Sequence, residues 1–249
     1  MLTKITAFLD GLLAHKTIAD YPGAHNGLQL ENSGRVVRIV SAVDACEAVL
    51  AHAARVPGTL LLVHHGLLWS GAQPFTGTLR RKLKLALEAD LAIYSSHLPL
   101  DLHARFGNNA LLAKALGLRK CTPAFLAKGQ PIGLMGQLSL TRSTLVQKLG
   151  KLLGSPAHLA PGGPERVRCI GLCSGGAGEQ VVQAAALGCD TFITGEGAHH
   201  TYTLAEELGV NLFYAGHYAT ETFGVRALGE HLAGKYRIPF QFIDHPTGL

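Results

Sequence analysis

Apolar residues follow two different spacings along the chain, and each spacing predicts a different element. Near the amino terminus, apolar residues from Ile5 to Leu13 recur at helical spacing within residues 1–16, which predicts an amphipathic helix. Further along, short apolar runs bounded by glycine and polar residues predict buried strands, with helical segments between them. Strands that alternate with helices are typical of an α/β protein with mostly parallel sheets flanked by helices.

Two parts of the chain repeat one order of strand, helix and strand. The predicted elements are 36–43, 45–55 and 59–63 in the first part, and 167–173, 178–187 and 191–194 in the second. The spacing agrees as well, since 25 positions separate Ile39 from His64 and 25 separate Ile170 from Gly195. We therefore expect two similar α/β lobes, one formed by residues 1–124 and the other by residues 125–249.

The repeat continues into a further strand that is followed in both copies by the motif H-x-x-x-[DE]. His97 precedes Asp101 by four positions, and His217 precedes Glu221 in the same way. Side chains four positions apart share one face of a helix, so each pair can face one ion. Pro99 argues against a helix in the first copy, where we expect a loop to join the pair.

Side chains of metal-binding type follow the ends of the predicted strands. His64 and His65 end one strand, where Gly66 supplies a turn, and Glu196 follows the corresponding strand of the repeat. Ligands of parallel α/β sheets bind at the carboxyl ends of strands. Imidazole and carboxylate groups are ligands of divalent metal ions, and a carboxylate can bridge two ions. Together with the two H-x-x-x-[DE] pairs, these residues predict a metal site, which we place between the two lobes.

The other histidines give weaker signals. His103, His199 and His200 lie near the residues above, and they either line the same cavity or have structural roles. For the remaining histidines we expect surface or capping roles: His15, His25, His52, His158, His231 and His245.

Composition and charge restrict the class of protein. The chain has 249 residues, of which 47% are hydrophobic and 16% charged, as in a folded globular protein. No segment approaches the roughly 18 apolar residues of a membrane span, and residues 1–16 lack the features of a secretory signal, so we expect a cytoplasmic protein without a membrane partner. The five cysteines, an odd number, suit a reducing compartment. A net charge of +5 permits nucleic-acid binding without predicting it.

Six ordered motifs, which span essentially the whole chain, resemble those of the GTP cyclohydrolase I type 2 homologue family, also called the Nif-three-like family. They are Asp20-Tyr21 with Asn26-Gly-Leu-Gln29, Val63-His-His-Gly66, His97-Leu-Pro-Leu-Asp101, Gly107-Asn-Asn109, Thr194-Gly-Glu196 and Gly216-His-Tyr-Ala-Thr-Glu221. One departure is His25, which stands where the family often has proline. This difference affects the shape of the preceding loop and leaves the predicted metal site unchanged.

The resemblance implies a dinuclear metal centre in a ring-shaped homohexamer. Two divalent ions per subunit would be held, with a bridging carboxylate, by His64, His65, Asp101, His217 and Glu221. The resemblance makes His97 a residue of the pocket, and we assign it the catalytic transfer of a proton. Zinc, iron, manganese, nickel and cobalt all suit such ligands.

We therefore expect a metal-dependent hydrolase that acts on a small nucleotide-like or phosphate-bearing substrate, and GTP cyclohydrolase activity is suggested by the family name alone. One alternative is a regulatory or interaction protein whose metal ions are structural or sensory and whose ring binds partners or single-stranded nucleic acid. Another is a protein that stores or delivers metal ions.

Overall fold

The computed structural model describes residues 1–69, 71 and 73–249. These residues form two compact units, and two segments of the chain contribute to each unit. The first unit comprises Met1–Leu100 with Gly224–His245, and the second comprises Asp101–Phe223 with Pro246–Leu249. The division into lobes at residues 124 and 125 stays a prediction.

Helices and strands alternate along most of the chain. The helices are α1 (Leu2–Leu13), α2 (Glu47–Ala53), α3 (Gly77–Glu88), α4 (Leu98–Asp101), α5 (Asn108–Leu116), α6 (Arg142–Leu153), α7 (Val181–Ala186), α8 (His200–Leu208) and α9 (His217–Tyr236), and a short 3-10 helix covers Gly178–Gln180. The strands are β1 (Gly27–Leu30), β2 (Arg38–Asp44), β3 (Thr59–His65), β4 (Ala92–Ser95), β5 (Arg119–Ala127), β6 (Gln130–Thr141), β7 (His158–Pro161), β8 (Arg166–Cys173), β9 (Thr191–Thr194), β10 (Asn211–Tyr214) and β11 (Phe240–Phe242).

The sheet of the first unit is mostly parallel, as predicted. Its strand order is β1-β4-β3-β2-β11, and the pairs β4-β3, β3-β2 and β2-β11 are parallel while β1 pairs with β4 antiparallel. The central strand β3 is buried on both sides from Thr59 to His64. A strand covered on both faces needs a continuous apolar run, and residues 60–63 provide it.

The sheet of the second unit combines a parallel centre with antiparallel edges. Its order is β5-β6-β8-β9-β10-β7, in which β8, β9 and β10 are parallel and the other pairs are antiparallel. A two-residue turn joins β5 to β6, with positive φ at both Lys128 (52°) and Gly129 (77°). A turn of this type suits the twist of an antiparallel hairpin. This sheet therefore departs from the mostly parallel arrangement that we expected of both.

The predicted repeat of strand, helix and strand is confirmed in the two sheets. In the first, Ile39 of β2 pairs with Leu60 of β3, and in the second, Ile170 of β8 pairs with Thr191 of β9. Both pairs are parallel, and both join residues 21 positions apart. The α/β class is likewise confirmed, because helices flank both sheets.

Helix α1 is amphipathic, as its apolar spacing predicts. Ile5, Leu9 and Leu13 are buried on one face, and the helix ends at Ala14, which has the left-handed conformation (φ 52°). Among the described residues there is no helix with the length and the apolar character that a membrane crossing requires.

Helix α4 contradicts the loop predicted from Pro99. The segment Leu98–Asp101 is one helical turn, and Pro99 lies within it. A proline in the first turn of a helix removes no intrahelical hydrogen bond, because the first N–H groups have no acceptor within the helix. The prediction was wrong because Pro99 stands at the start of a helix and not in its interior.

Candidate metal centre

Three histidines converge in the first unit. His64 and His65 end β3, and His97 follows β4, which is the parallel neighbour of β3. Each ring offers a nitrogen that lies within 4.8 Å of the others. The ring centroids of His64 and His97 are 4.8 Å apart, and those of His64 and His65 are also 4.8 Å apart. The end of β3 thus brings together the imidazoles predicted from the sequence.

Hydrogen bonds fix which nitrogen of each ring faces this cluster. The Nδ1 atom of the fully buried His64 lies 3.0 Å from the carbonyl oxygen of Ser96. A carbonyl oxygen only accepts hydrogen bonds, so Nδ1 carries the hydrogen and donates it, and Nε2 keeps its lone pair. A neutral imidazole held in this way is the form that binds a metal ion.

Carboxylates orient the other two rings in the same manner. Nδ1 of His65 donates to Oδ1 of Asp44 at 2.9 Å, and Nδ1 of His97 donates to Oδ1 of Asp20 at 2.8 Å. Burial tends to raise the pKa of Asp20, but hydrogen bonds from His97 and from the side chain of Asn26 outweigh it, and the pKa lies below its ordinary value. Asp20 is therefore an ionised acceptor that keeps the His97 ring in place.

Hydrogen bonds from backbone amides to side-chain oxygens explain two of the sequence motifs. Oδ1 of Asn26 accepts a hydrogen bond from the amide of His97 at 2.7 Å, and Oε1 of Gln29 accepts one from the amide of Leu67 at 2.7 Å. A Cβ atom on Gly66 would lie 2.3 Å from the amide group of Gln29. Gly66 thus leaves room for the Gln29 side chain where the chain turns directly after His65.

In the second unit, His217 and Glu221 lie one turn apart at the start of α9. Nε2 of His217 is 3.2 Å from Oε2 of Glu221, and Nδ1 of His217 is 2.9 Å from Oε1 of Glu196. Burial lowers the pKa of His217, but the hydrogen bonds and charges of Glu221 and Glu196 raise it by more. The pKa is therefore about 9, above its ordinary value. Two carboxylates therefore converge on one imidazole. Glu221 itself is 2% exposed.

A glycine turn packs against these side chains. Gly175 has a φ of +68°, and a Cβ atom on it would lie 2.3 Å from Oε1 of Glu221 and 3.5 Å from Nε2 of His217. Its amide donates a hydrogen bond to Oγ1 of Thr220 at 3.1 Å. The left-handed conformation and the close approach both require glycine at this position.

Asp101 is buried in a polar environment of the same unit. Its Oδ1 atom accepts hydrogen bonds from Nδ2 of Asn108 at 2.7 Å and from Oγ of Ser174 at 3.2 Å. Burial, and then the charges of Asp101 and Glu221, raise the pKa of the Cys173 thiol well above its ordinary value. Cys173 is thus a neutral thiol packed close to both carboxylates. The contact with Asn108 explains the Gly107-Asn-Asn109 motif.

The histidines of uncertain role have structural contacts. Nδ1 of His103 accepts hydrogen bonds from the amides of Arg105 and Phe106 at 3.1 and 3.0 Å. His200 forms an ion pair with Glu179 at 2.7 Å. His199, by contrast, lines a cavity together with Glu196.

A cavity of about 630 Å³ lies beside Glu196. Aromatic rings form one wall, since the ring of His158 lies 5.7 Å from that of Tyr202 and 5.9 Å from that of Tyr214. The planes of His158 and Tyr214 differ by 27°. The cavity therefore offers flat apolar surfaces next to the carboxylate that orients His217.

Sequence reasoning missed several residues that support the histidines. Asp44 and Ser96 were not singled out, and Asp20 entered only as part of a motif. One signal was available for Asp44, because parallel pairing of β2 with β3 places it opposite His65. The surface or capping role expected of His15 was wrong, since its side chain is 8% exposed and its Nε2 atom lies 3.1 Å from Oγ of Ser96.

The donor set fits divalent transition metals. In each unit, imidazole nitrogens lie beside carboxylates, and the Nδ1 atoms are held by acceptors, which is the usual arrangement around metal-binding histidines. Hard ions such as calcium prefer oxygen ligands alone, so the histidines favour zinc, iron, manganese, nickel or cobalt. The structure thus presents candidate His and Glu metal-binding groups in both units.

The chain is similar to known proteins along almost its whole length. The family described as Duf34/NIF3 (NGG1p interacting factor 3) matches residues 1–247. A protein of Deinococcus radiodurans named GTP cyclohydrolase 1 type 2 homolog is 39% identical over 93% of this chain and 89% of its own length. One of the same name from Archaeoglobus fulgidus is 38% identical over 100% of this chain and 99% of its own. The crystal structure of TTHA1606 from Thermus thermophilus matches with a TM-score of 0.90 and 35% identity, and the match covers 99% of each chain.

Proposed function

Because the chain belongs to the Duf34/NIF3 family, we propose that it is a metal-dependent hydrolase that binds two divalent ions. The ligands in this proposal are those implied by the resemblance: His64, His65, Asp101, His217 and Glu221. The observation that carries the proposal is the orientation of the imidazoles. Nδ1 of His64 donates to a carbonyl oxygen and Nδ1 of His65 donates to a carboxylate oxygen, which leaves Nε2 of both rings for the ion. Nε2 of His217 lies 3.2 Å from Oε2 of Glu221, so these two side chains already face each other.

The chemistry of such a centre is hydrolytic. Bound divalent ions would lower the pKa of a coordinated water toward about 7 and stabilise negative charge that develops on the substrate. His97 is suited to move the proton, because its Nδ1 donates to Asp20 and its Nε2 is the remaining ring nitrogen that can accept or release one. Asp20 keeps one tautomer of the ring in place, as an acidic partner does in a catalytic triad.

The substrate in this proposal is a small nucleotide-like or phosphate-bearing molecule. The cavity beside Glu196 has Tyr202 and Tyr214 in its walls, and planar heteroaromatic rings stack on such side chains. Relatives of the chain are named GTP cyclohydrolase 1 type 2 homologs, so ring-opening hydrolysis of GTP belongs among the first reactions to assay. A nucleobase is a planar heteroaromatic ring of this kind, and it could stack on Tyr202 or Tyr214.

The test is a hydrolysis screen on the metal-loaded protein with nucleotides and other phosphate-bearing molecules. Glu221→Ala should abolish turnover of any substrate found, and Glu230→Ala is the matched control, since Glu230 is an exposed residue of the same helix. Full turnover by the Glu221→Ala protein would contradict the proposal. Metal binding without turnover of any compound would instead favour the regulatory alternative.

A further inference from the structure

A second cavity lies in the second unit, and none of its lining residues belongs to the candidate metal centre. Its volume is about 550 Å³, and its polar walls include the side chains of Arg119, Gln137, Ser139 and Arg168. These residues come from three neighbouring strands of the sheet, β5, β6 and β8. The proposed hydrolase makes no use of them.

Two irregularities of the sheet meet at this cavity. Gln137 of β6 pairs with Arg119 on one side and with Cys169 on the other. Next to this row, the pairing of β5 with β6 shifts between Arg119 and Thr122, and the pairing of β6 with β8 shifts between Gln137 and Leu140. Each shift inserts one extra residue, as in a β-bulge, which re-aims nearby side chains and is common next to binding sites.

The backbone at one of these bulges has an unfavourable conformation. Lys120 has a φ of +51°, in the left-handed region that favours glycine. Such conformations cost on the order of 1 kcal/mol and are concentrated at functional sites. The neighbouring Arg119, at which the shift in pairing begins, lines the cavity.

Positive charge dominates the cavity. Within the described parts of the chain, neither Arg119 nor Arg168 forms an ion pair. The acidic residue next to this region, Asp190, uses Oδ2 to accept hydrogen bonds from the amides of Arg168 and Cys169 at 2.8 and 3.0 Å. Its carboxylate is therefore engaged with the backbone, and two guanidinium groups line the cavity without a paired carboxylate.

We propose that this cavity binds the phosphate group of a small phosphorylated molecule. Guanidinium groups match the geometry of phosphate oxygens and form two parallel hydrogen bonds to them. The Ser139 hydroxyl and the Gln137 amide supply neutral donors beside Arg119 and Arg168. A cavity with two lining arginines suits one phosphate group, whereas a nucleic-acid strand requires basic side chains along an extended groove.

The experiment is equilibrium dialysis of the full chain with radiolabelled pyrophosphate, both metal-loaded and after chelation. Arg119→Gln with Arg168→Gln removes both guanidinium groups. Arg55→Gln with Arg80→Gln is the control, because it removes the same charge from exposed positions of the first unit. Circular dichroism checks that each variant is folded.

We expect saturable binding that persists after chelation, and a loss of about 10- to 100-fold in affinity for the cavity variant only. Arg119→Lys should lose part of that affinity, since lysine keeps the charge without the planar group. Equal binding by the wild type and the cavity variant would overturn the proposal, as would binding that disappears with the metal. The proposal would also be overturned, in favour of nucleic acid, if a single-stranded oligonucleotide displaced pyrophosphate at a concentration much lower than that of unlabelled pyrophosphate. The affinity of the oligonucleotide should then fall steeply with added salt, as it does where many phosphates are contacted.

Discussion

Removal of the carboxylate that orients His65 should weaken metal binding without unfolding the protein. Nδ1 of His65 donates to Oδ1 of Asp44 at 2.9 Å, and the side chains are 13% and 35% exposed. Loss of such a supporting hydrogen bond typically lowers metal affinity by about 10- to 100-fold, or about 1.4–2.7 kcal/mol. Because Asp44 is about one-third exposed and water can replace part of its effect, we expect the lower end for Asp44→Ala, about 10-fold.

A competition titration with a chromophoric chelator and zinc measures this change directly. Asp44→Asn should lose less affinity than Asp44→Ala, because the amide oxygen of asparagine can still accept from Nδ1 of His65. Glu47→Gln is the control, since Glu47 is an exposed carboxylate of the same unit that pairs with the exposed Arg81. Zinc affinity of Asp44→Ala within twofold of the wild type would refute the reasoning, and so would an equal loss in the Glu47 variant.

Three further predictions concern catalysis, packing and pH. His97→Ala should lower turnover of a confirmed substrate by about 10²- to 10⁴-fold and leave the number of bound metal ions unchanged. Gly175→Ala should destabilise the fold by about 1–3 kcal/mol in urea unfolding, because its Cβ would meet Glu221 and its φ is +68°. Hydrogen bonds from the hydroxyl and amide of Ser33 lower the pKa of Asp90, so Asp90→Asn should reduce stability at neutral pH, and the difference from the wild type should vanish as the pH falls below about 4.

Each of these predictions has a clear contradicting result. Loss of metal from the His97 variant would make that residue a ligand, as its closeness to His64 and His65 allows. Gly129→Ala also places alanine at a positive φ (77°), but its Cβ would meet no atom within 4 Å. An equal loss of stability in both glycine variants would show that the contact with Glu221 does not contribute to the effect at Gly175. For Asp90, the lowered pKa implies stability that is present above the ordinary pKa and lost below it, so a constant difference down to pH 2 would contradict the linkage.

The sequence was most informative where apolar spacing and repetition coincide. Strands β2, β3, β8 and β9 and the helices between them follow from buried runs with two matched spacings. The antiparallel hairpin of β5 and β6 was not predicted, because its strands are only partly buried and lack a continuous apolar run. Its two-residue turn has Lys128 and Gly129 in the left-handed region, and this signal of a hairpin is separate from the apolar runs that predict parallel strands.

In the candidate site, too, some residues could be predicted from the sequence and others could not. Candidate ligands such as His64 and Glu221 stand out, because they follow strands in repeated positions. The residues that orient them do not, since Asp20 lies 77 positions from His97 and its contact depends on the folded path of a loop. Asp44 was within reach, because the register of parallel strands 21 positions apart places it beside His65. Contacts made through strand pairing are thus predictable from spacing, whereas contacts made through loops are not.

The most direct test of the central claim is elemental analysis of the protein purified without an affinity tag. The wild type should contain about two divalent ions per chain, and Asp101→Ala combined with Glu221→Ala should lose most of them while it remains folded. A wild type that binds no metal, even after incubation with zinc, iron, manganese, nickel or cobalt ions, would contradict the proposed centre.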